Sequence, residues 1–153
     1  MYYISSSLET TYSIASKLIK KLYNKHHIIF ILLQGNLGSG KTEFVKGIIK
    51  ELKIKLEKIK SPSFIIINEY TKKNLVLYHI DLYRIEKNFV NRILNDLIEE
   101  LPCCEKIIFC IEWSEKLNKK IYKLFKNFKK SAVVKVKINF LNQTKRKIWI
   151  KNI

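Results

Sequence analysis

The sequence has few residues that interrupt secondary structure or form cross-links. Its 153 residues include only four glycines, two prolines and three cysteines. The cysteines, Cys103, Cys104 and Cys110, are odd in number and lack the paired spacing of a zinc site, so we expect reduced cytosolic thiols. Because 47% of the residues are apolar, the composition indicates a folded core and argues against a disordered chain.

Long apolar runs are absent as well. No run approaches the ~20 residues that a membrane-spanning helix needs. The first residues, Met1 to Ser5, have neither the basic region nor the apolar stretch of a signal peptide. We therefore expect a cytoplasmic protein without a membrane partner, and the length predicts a single domain over residues 1–153.

Arginine is scarce although the chain is strongly basic. The formal net charge is +17, yet arginine occurs only at Arg84, Arg92 and Arg146. Isoleucine, lysine and asparagine are abundant throughout, which is typical of an AT-rich genome, and the lysines look scattered. We favour a solvated basic surface over a dedicated binding patch, although such a surface still attracts RNA or an acidic partner at low salt.

Three of the four glycines lie in one segment of eight residues, which an apolar run at 28–33 precedes and a predicted helix at 41–52 follows. The segment fits G-x-x-x-x-G-K-[ST], in which the backbone N–H groups form a concave site for phosphate. Its residues are Gly35, Asn36, Leu37, Gly38, Ser39, Gly40, Lys41 and Thr42. In this pattern the lysine reaches the β- and γ-phosphates and the threonine hydroxyl binds Mg²⁺. The flanking strand and helix disfavour a chance glycine turn, and Gly47 is expected to let the helix pack closely on a sheet.

The rest of the chain shows further strand and helix patterns. Ser6 with Glu9 fits a capping box before an apolar helical stripe. The predicted helices are residues 7–23, 86–101 and 114–128; the predicted strands are 64–70 and 75–81, joined as a hairpin by Thr71 to Asn74, then 106–112 and a final pair around Asn142 to Thr144. Residues 53–60 have no clear pattern. The element order predicts an α/β fold of the three-layer, P-loop NTPase-like type, with a mixed parallel and antiparallel sheet.

Two acids end predicted strands, where a doubly wound sheet places its ligands. Asp81 closes the run 75–80, and Glu112 closes the run 107–111. Each is a candidate to complete the Mg²⁺ shell, directly or through water, or to orient an attacking water. The pattern leaves open which acid is the more direct metal ligand.

Three residues near these acids have open roles. His79 alternates with apolar neighbours, so we give a hydrogen-bonded packing role at least the weight of a functional one. Arg84 either contacts phosphate or ties its loop to an acid. Trp113 either belongs to the core or packs on the nucleotide.

Several motifs, in order along essentially the whole chain, resemble the TsaE family (also called YjeE), the small P-loop ATPases of bacterial tRNA threonylcarbamoyladenosine (t6A) synthesis. The glycine segment resembles the family's GDLGAGKT. The other matching segments are Thr11 before Ile14-Ala15, Ser61-Pro62-Ser63-Phe64 (family SPTF), Asn68-Glu69-Tyr70, Tyr78-His79-Ile80-Asp81-Leu82-Tyr83-Arg84 (family YHFDLYR), Ile111-Glu112-Trp113 (family IEW) and Arg146 before Ile148. Asn36 stands where the family usually has Asp, and Ser63 where it usually has Thr.

The resemblance implies a slow, Mg²⁺-dependent ATPase and assigns roles to these residues. Lys41 and the loop residues from Gly35 to Thr42 bind the phosphates of ATP. Thr42 and Glu112 bind Mg²⁺, and Asp81 is an essential acid near the γ-phosphate and the metal. Ser63 belongs to a switch segment that senses the nucleotide. Thr11, Trp113 and Arg146 are further expected nucleotide contacts.

The resemblance also implies partners. The family works with TsaD and TsaB, which transfer a threonylcarbamoyl group to N6 of adenosine 37 in tRNAs that read codons beginning with A. This subunit does not transfer the group, and it meets tRNA only through the complex. A metabolite or nucleotide kinase is an alternative, but only three arginines and no arginine-rich lid are present. A nucleic-acid-binding protein with a vestigial site is another, and the intact Lys41, Thr42, Asp81 and Glu112 argue against it.

Overall fold

The computed structural model describes residues 1–55 and 67–153. In these ranges the chain forms the strands β1 (Tyr2–Ser5), β2 (Ile28–Gln34), β3 (Ile67–Lys72), β4 (Leu75–Asp81), β5 (Lys106–Glu112), β6 (Ser131–Phe140) and β7 (Arg146–Asn152). It forms the helices α1 (Leu8–Tyr23), α2 (Lys41–Glu51), α3 (Lys87–Glu99) and α4 (Lys119–Asn127), with a short 3-10 turn at Ser114–Lys116. No helix within these two ranges is both long enough and apolar enough to cross a lipid bilayer.

The strands form one mixed sheet in the order β1-β7-β6-β2-β5-β4-β3. The four inner strands β6, β2, β5 and β4 are parallel neighbours. Antiparallel pairs lie at the margins: β1 with β7, β6 with β7, and β3 with β4. The predicted α/β fold with a mixed sheet is therefore confirmed.

Helices cover both faces of the central strands. Ile29, Ile31 and Leu33 of β2 belong to one core cluster, which includes the apolar faces of α1 and α2. Phe30 and Leu32 point to the other side, into a cluster with α3 and α4. A strand that is covered on both faces is apolar at consecutive positions, which explains the unbroken apolar run of β2. Each buried side chain of this kind stabilises the fold by roughly 1.5–3 kcal/mol.

The parallel strands bring three chain segments to one edge of the sheet. Asp81 at the end of β4 pairs in register with Glu112 at the end of β5. Leu33, near the end of β2, pairs with Glu112 from the other side. The glycine segment begins directly after β2, so it meets both acids at this edge.

The N-terminal segment differs from the prediction in two ways. Residues Tyr2–Ser5 form β1, a strand that the sequence analysis missed. The helix that follows is capped by Ser7 rather than Ser6, because the Ser7 side chain accepts a hydrogen bond from the Thr10 amide at 3.1 Å. The expected helix therefore exists, but the capping box that was assigned to Ser6 and Glu9 is wrong.

Two other details are also corrected. The predicted helix at 114–128 is interrupted, since α4 begins only after Asn118, whose side chain accepts from the Ile121 amide at 3.0 Å. Gly47 does not serve contact with the sheet. A Cβ at this position would lie 2.9 Å from atoms of Tyr12 and Ala15. The glycine therefore permits close packing of α2 on α1.

The remaining predicted elements agree with the structure within a few residues. The helix predicted at 86–101 is α3, and the strand predicted at 106–112 is β5. The hairpin is β3 and β4, joined at Lys73 and Asn74, whereas residues 64–66 of its predicted first strand lie outside the described residues. Most of the unassigned stretch at 53–60 also lies outside them.

Candidate functional site

The glycine segment forms the turn between β2 and α2. Gly35, Gly38 and Gly40 have φ angles of +146°, +73° and +106°. A side chain at Gly35 would overlap with the carbonyl oxygen of Ile138 and with Ser39 Oγ, so only glycine fits there. Gly40 is the N-cap of α2. The unpaired N–H groups of the first turn of α2 therefore face the loop, as an anion site requires.

The Lys41 side chain folds back over this loop and is only 4% exposed. Its Nζ donates to the carbonyl oxygens of Gly35 at 2.8 Å and Asn36 at 3.0 Å. The ammonium also lies 4.0 Å from the centroid of the Trp113 ring. Burial lowers the pKa of Lys41, and the carboxylates of Glu112, Glu115 and Asp81 oppose this shift. The chain thus holds a cation at the centre of the loop with three carboxylates around it.

A cavity of about 270 Å³ opens beside the loop. It brings together the predicted phosphate-binding lysine, the predicted metal-binding threonine and both candidate acids. Its lining residues are Leu37, Gly38, Gly40, Lys41, Thr42, Glu43, Asp81, Tyr83, Glu112 and Trp113.

The two acids have different surroundings. Glu112 is 3% exposed, and its Oε1 lies 2.8 Å from His79 Nε2. Asp81 is exposed, and its Oδ1 accepts a hydrogen bond from the Tyr83 amide at 2.9 Å. Glu112 is therefore the more rigidly held carboxylate. The sequence left the role of His79 open, and the structure places it against a candidate ligand.

Trp113 connects the end of β5 to the cavity. Its φ angle of +58° turns the chain out of the strand. The half-buried ring lies next to Lys41 and 4.8 Å from the ring of Tyr83. The ring packs on the second core cluster, as the core alternative expects, and it also lines the cavity. Packing of Trp113 on a nucleotide stays a prediction.

Lys116 is a residue of the site region that the sequence analysis did not single out. Its Nζ donates to the carbonyl oxygens of Leu82, Tyr83 and Ile85 at 2.8, 2.7 and 2.8 Å. It thereby ties the loop after Asp81 to the turn after Glu112. A lone lysine in a lysine-rich sequence carries no signal that would have identified this contact.

A second cavity, of about 340 Å³, also borders the glycine loop and is lined by two expected nucleotide contacts. Thr11 is buried, with its Oγ1 2.7 Å from Ser5 Oγ. Arg146 donates to the carbonyl oxygen of Gln143 at 3.1 Å, with its guanidinium 4.8 Å from the Phe140 ring. The lining residues are Ser5, Ser6, Ser7, Leu8, Thr11, Gly38, Ser39, Gly40, Glu43, Gln143, Thr144 and Arg146.

The two other predicted residues are Ser63 and Arg84. Ser63 lies outside the described residues. Arg84 is exposed and lines a shallow depression with Phe89 and Arg92 on α3. Within the described ranges, Arg84 makes no salt bridge to an acid. A contact by which Arg84 would tie its loop to a described acid is therefore not seen.

The donor set suits a phosphate and a hard divalent cation. Ser39 Oγ is buried in the loop and has no hydrogen-bond partner among the described residues. The hydroxyl of Thr42 and the carboxylates of Asp81 and Glu112 are oxygen ligands of the kind that Mg²⁺ prefers. In the described ranges, no group of three His, Cys, Asp or Glu residues forms a metal site by itself. A Mg²⁺ ion here would therefore depend on phosphate oxygens as well as on the protein.

Comparison with known proteins identifies one family, which matches nearly the whole chain. Residues 5–148 match the family model "Threonylcarbamoyl adenosine biosynthesis protein TsaE". A protein of Aquifex aeolicus named "tRNA threonylcarbamoyladenosine biosynthesis protein TsaE" is 31% identical over 148 residues, which cover 96% of this chain and 92% of that protein. A Nostoc protein of the same name is 46% identical over 91 residues, or 57% of this chain and 53% of its own length. The match thus spans about half of the Nostoc protein.

A solved structure shows the same fold. The crystal structure of Bacillus subtilis YdiB superposes with a TM-score of 0.61 and 24% sequence identity, covering 97% of this chain and 82% of YdiB. The family model, by contrast, rests on the sequence and covers all of the segments that line the two cavities. On this match and on the full-length similarity to the Aquifex protein, the chain belongs to the TsaE family.

Proposed function

We propose that this chain is the Mg²⁺-dependent ATPase subunit of tRNA t6A synthesis, slow alone and stimulated by TsaD and TsaB. The observation that carries the proposal is the cavity beside the glycine loop, where Lys41, Thr42, Asp81 and Glu112 meet. Membership in the TsaE family supports the pathway. ATP, the metal, the hydrolysis and the two partners are the proposed parts, and a cytoplasmic location stays a prediction from the sequence.

The loop is suited to hold the phosphates of ATP. Its N–H groups and those of the first turn of α2 would bind phosphate oxygens, and the Lys41 ammonium would neutralise their charge. The lysine is already positioned over the loop by its contacts with Gly35 and Asn36. A group that is held in place before the reaction needs no reorganisation during it.

The two acids would then have separate tasks. Glu112 is buried and fixed by His79, and together with Thr42 it would supply oxygen ligands for Mg²⁺. When bound, the metal supplies Lewis-acid stabilisation of charge on the phosphate oxygens. Asp81 is more exposed and lies beside Glu112 in the register, so it would orient the attacking water and contact the metal shell.

Two aromatic rings would limit access of bulk water to the reacting groups. The rings of Trp113 and Tyr83 contact each other at the margin of the cavity, and Trp113 covers the Lys41 ammonium. Exclusion of water strengthens the interaction of the lysine with phosphate, because the local dielectric constant is lower.

The first test is ATP binding and hydrolysis by the purified protein, alone and with the TsaD–TsaB pair of the same organism. Lys41→Ala should reduce both by at least about 100-fold, the size expected when a preorganised charge is removed. Lys50→Ala is the matched control, since Lys50 is an exposed lysine on the same helix. Unchanged ATP hydrolysis in Lys41→Ala would show that the site is wrongly assigned.

The partner pair is tested in the same assay. We expect the slow hydrolysis to rise when TsaD and TsaB are added together. Equal rates with and without the pair would leave the nucleotide site intact and would contradict the proposed partners. The t6A content of tRNA in cells that carry only the Lys41→Ala variant, measured by mass spectrometry, should then fall.

A further inference from the structure

One side of the sheet margin carries lysines and aromatic rings and is open to solvent. We name it the basic–aromatic face. Its residues are Tyr2 on β1, Lys135 and Lys137 on β6, and Lys147, Trp149 and Lys151 on β7. They share one side of the sheet because the register pairs Trp149 with both Tyr2 and Lys137, and Lys135 with Lys151.

The two aromatic rings of this face are exposed, although large aromatic side chains usually dominate cores and interfaces. Tyr2 is 53% exposed and Trp149 is 41% exposed. Their ring centroids lie 5.0 Å apart with an angle of 49° between the planes. The Nζ of Lys147 lies 4.2 Å from the Tyr2 ring and 4.5 Å from the Trp149 ring. The rings and the ammonium therefore form one connected surface.

The charge of the face is of one sign. None of the strands β1, β6 and β7 contains Asp or Glu. Residues 116–153, which include the lysines of β6 and β7, contain 13 lysines and arginines and no acid. A genome-wide bias toward lysine codons does not by itself explain why one quarter of the chain contains neither Asp nor Glu. The fold thus brings four of the lysines onto one face, whereas the expectation of a solvated basic surface stays untested.

The arrangement is unfavourable without a partner of opposite charge. Lys135 and Lys151 are directly opposed on neighbouring strands, and like charges in this position destabilise a sheet. A polyanion would offset this repulsion. Lysine is depleted at protein interfaces, so four lysines on one face favour a polyanion over a protein partner.

We propose that the basic–aromatic face binds single-stranded RNA. Unpaired bases would stack on Trp149 and Tyr2, and the backbone phosphates would contact Lys137, Lys147 and Lys151. Cationic side chains that alternate with aromatic platforms are the features by which proteins bind single strands without reading their sequence. A duplex is excluded from the stacking part of this interaction, because its bases are already stacked on each other. The inference does not depend on the ATP site, since none of the six residues lines either cavity at the glycine loop.

The test is a fluorescence-anisotropy titration of the full chain with a labelled 12-nucleotide oligouridine, repeated at several salt concentrations. The slope of log affinity against log salt should become shallower by about 2 in the variant Lys137→Gln/Lys147→Gln/Lys151→Gln. The reason is that each phosphate contact of a single strand contributes roughly 0.7 to this slope, and the variant removes three lysines. The matched control is Lys25→Gln/Lys73→Gln/Lys87→Gln, which removes the same charge from exposed positions outside the face. The control should bind more tightly than the face variant.

Stacking is tested separately at Trp149. Trp149→Ala should weaken oligouridine binding by about 5- to 150-fold, the range found when a stacking side chain is removed. Trp149→Phe keeps a ring and should retain most of the affinity. A labelled 12-base-pair RNA duplex should show no dependence on Trp149. Thermal unfolding of each variant shows whether the fold is kept.

Three outcomes would overturn the proposal. Equal losses in the face variant and the control variant would mean that net charge alone attracts RNA. Binding that is unchanged in a folded Trp149→Ala would remove the stacking role. Absence of RNA binding, with loss of TsaD–TsaB stimulation in the face variant, would make the face a protein contact. Lys41→Ala should retain RNA binding, so failure of the ATPase proposal and failure of this one give different results.

Discussion

The imidazole of His79 contacts the carboxylate of Glu112 at 2.8 Å, although the two residues are 33 positions apart. β4 and β5 are parallel neighbours, so the sheet brings the side chains together. Glu112 is 3% exposed, and a buried carboxylate is costly unless a partner satisfies it. The contact occupies Oε1 and fixes the direction of the carboxyl group at the end of β5.

His79→Ala should therefore reduce the function of Glu112 without removing it. We expect the affinity for Mg²⁺ or the rate of ATP hydrolysis to fall by about 10- to 100-fold. This is the usual effect of removing a group that orients a metal ligand. Mn²⁺ binding followed by electron paramagnetic resonance in the presence of ATP measures this without turnover. His79→Gln keeps a donor and should recover part of the loss. The same Mn²⁺ affinity in His79→Ala and the unmodified chain would limit His79 to packing.

Lys116→Met should loosen the loop that follows Asp81. The change removes hydrogen bonds to the carbonyl oxygens of Leu82, Tyr83 and Ile85. Bonds from a charged donor contribute about 1.5–3 kcal/mol each when buried. Because this lysine is partly exposed, we expect the free energy of unfolding to fall by only about 1–2 kcal/mol in total. Hydrogen exchange at the Tyr83 and Ile85 amides should become faster.

The control for this variant is Lys119→Met, which removes an exposed lysine at the start of α4. It should leave the exchange rates of the loop amides unchanged. If both variants showed the same exchange at these amides, Lys116 would not hold the loop.

Gly47→Val should destabilise the contact between α1 and α2. A Cβ at this position already meets Ala15 Cβ and Tyr12 Cα at 2.9 Å, and the Tyr12 atom is backbone that cannot rotate away. Overpacking of this kind costs about 1–3 kcal/mol. Lys50→Val places the same side chain at an exposed position of α2 and should change stability far less. The measurement is urea unfolding of both variants, and equal midpoints would show that the helices have room to separate.

The three cysteines are free and should differ in reactivity with a maleimide. Cys103 is exposed, whereas Cys110 is fully buried in β5. Burial raises the pKa of the Cys110 thiol, and the thiolate is the reactive form. We therefore expect Cys103 to be labelled rapidly because it is exposed, and Cys110 to stay unlabelled until the chain is unfolded. The measurement is peptide mass spectrometry after a short labelling time. Rapid modification of Cys110 would contradict the prediction.

The sequence predicted the parts of the site that depend on neighbouring residues. The glycine segment needs only a strand before it and a helix after it, and the acids at 81 and 112 are marked by the apolar runs that they end. The sheet then places these residues at one edge, as parallel strands must. The role of each residue toward ATP and Mg²⁺ stays a prediction.

Contacts between residues that are distant in the sequence could not be predicted from sequence patterns. β1 is short and mostly exposed, so its stability depends on pairing with β7 rather than on its own apolar pattern. The position of Gly47 against α1 depends on how two helices cross, and the lysines of β6 and β7 form a face only after the register is known. The choice of Ser7 over Ser6 as a cap is a shift of one residue that no periodicity resolves.

The pairing of β1 with β7 has a consequence for how the chain folds. Tyr2 lies opposite Trp149, so this contact closes a loop of almost the entire chain. Closing so long a loop is entropically costly until the intervening elements are in place, and contacts of this kind form slowly. We expect β1 to dock last and to detach first, as a separate unit of local unfolding. The Tyr2–Trp149 pair is therefore a mark of the fully folded chain, and partly folded forms would lack it.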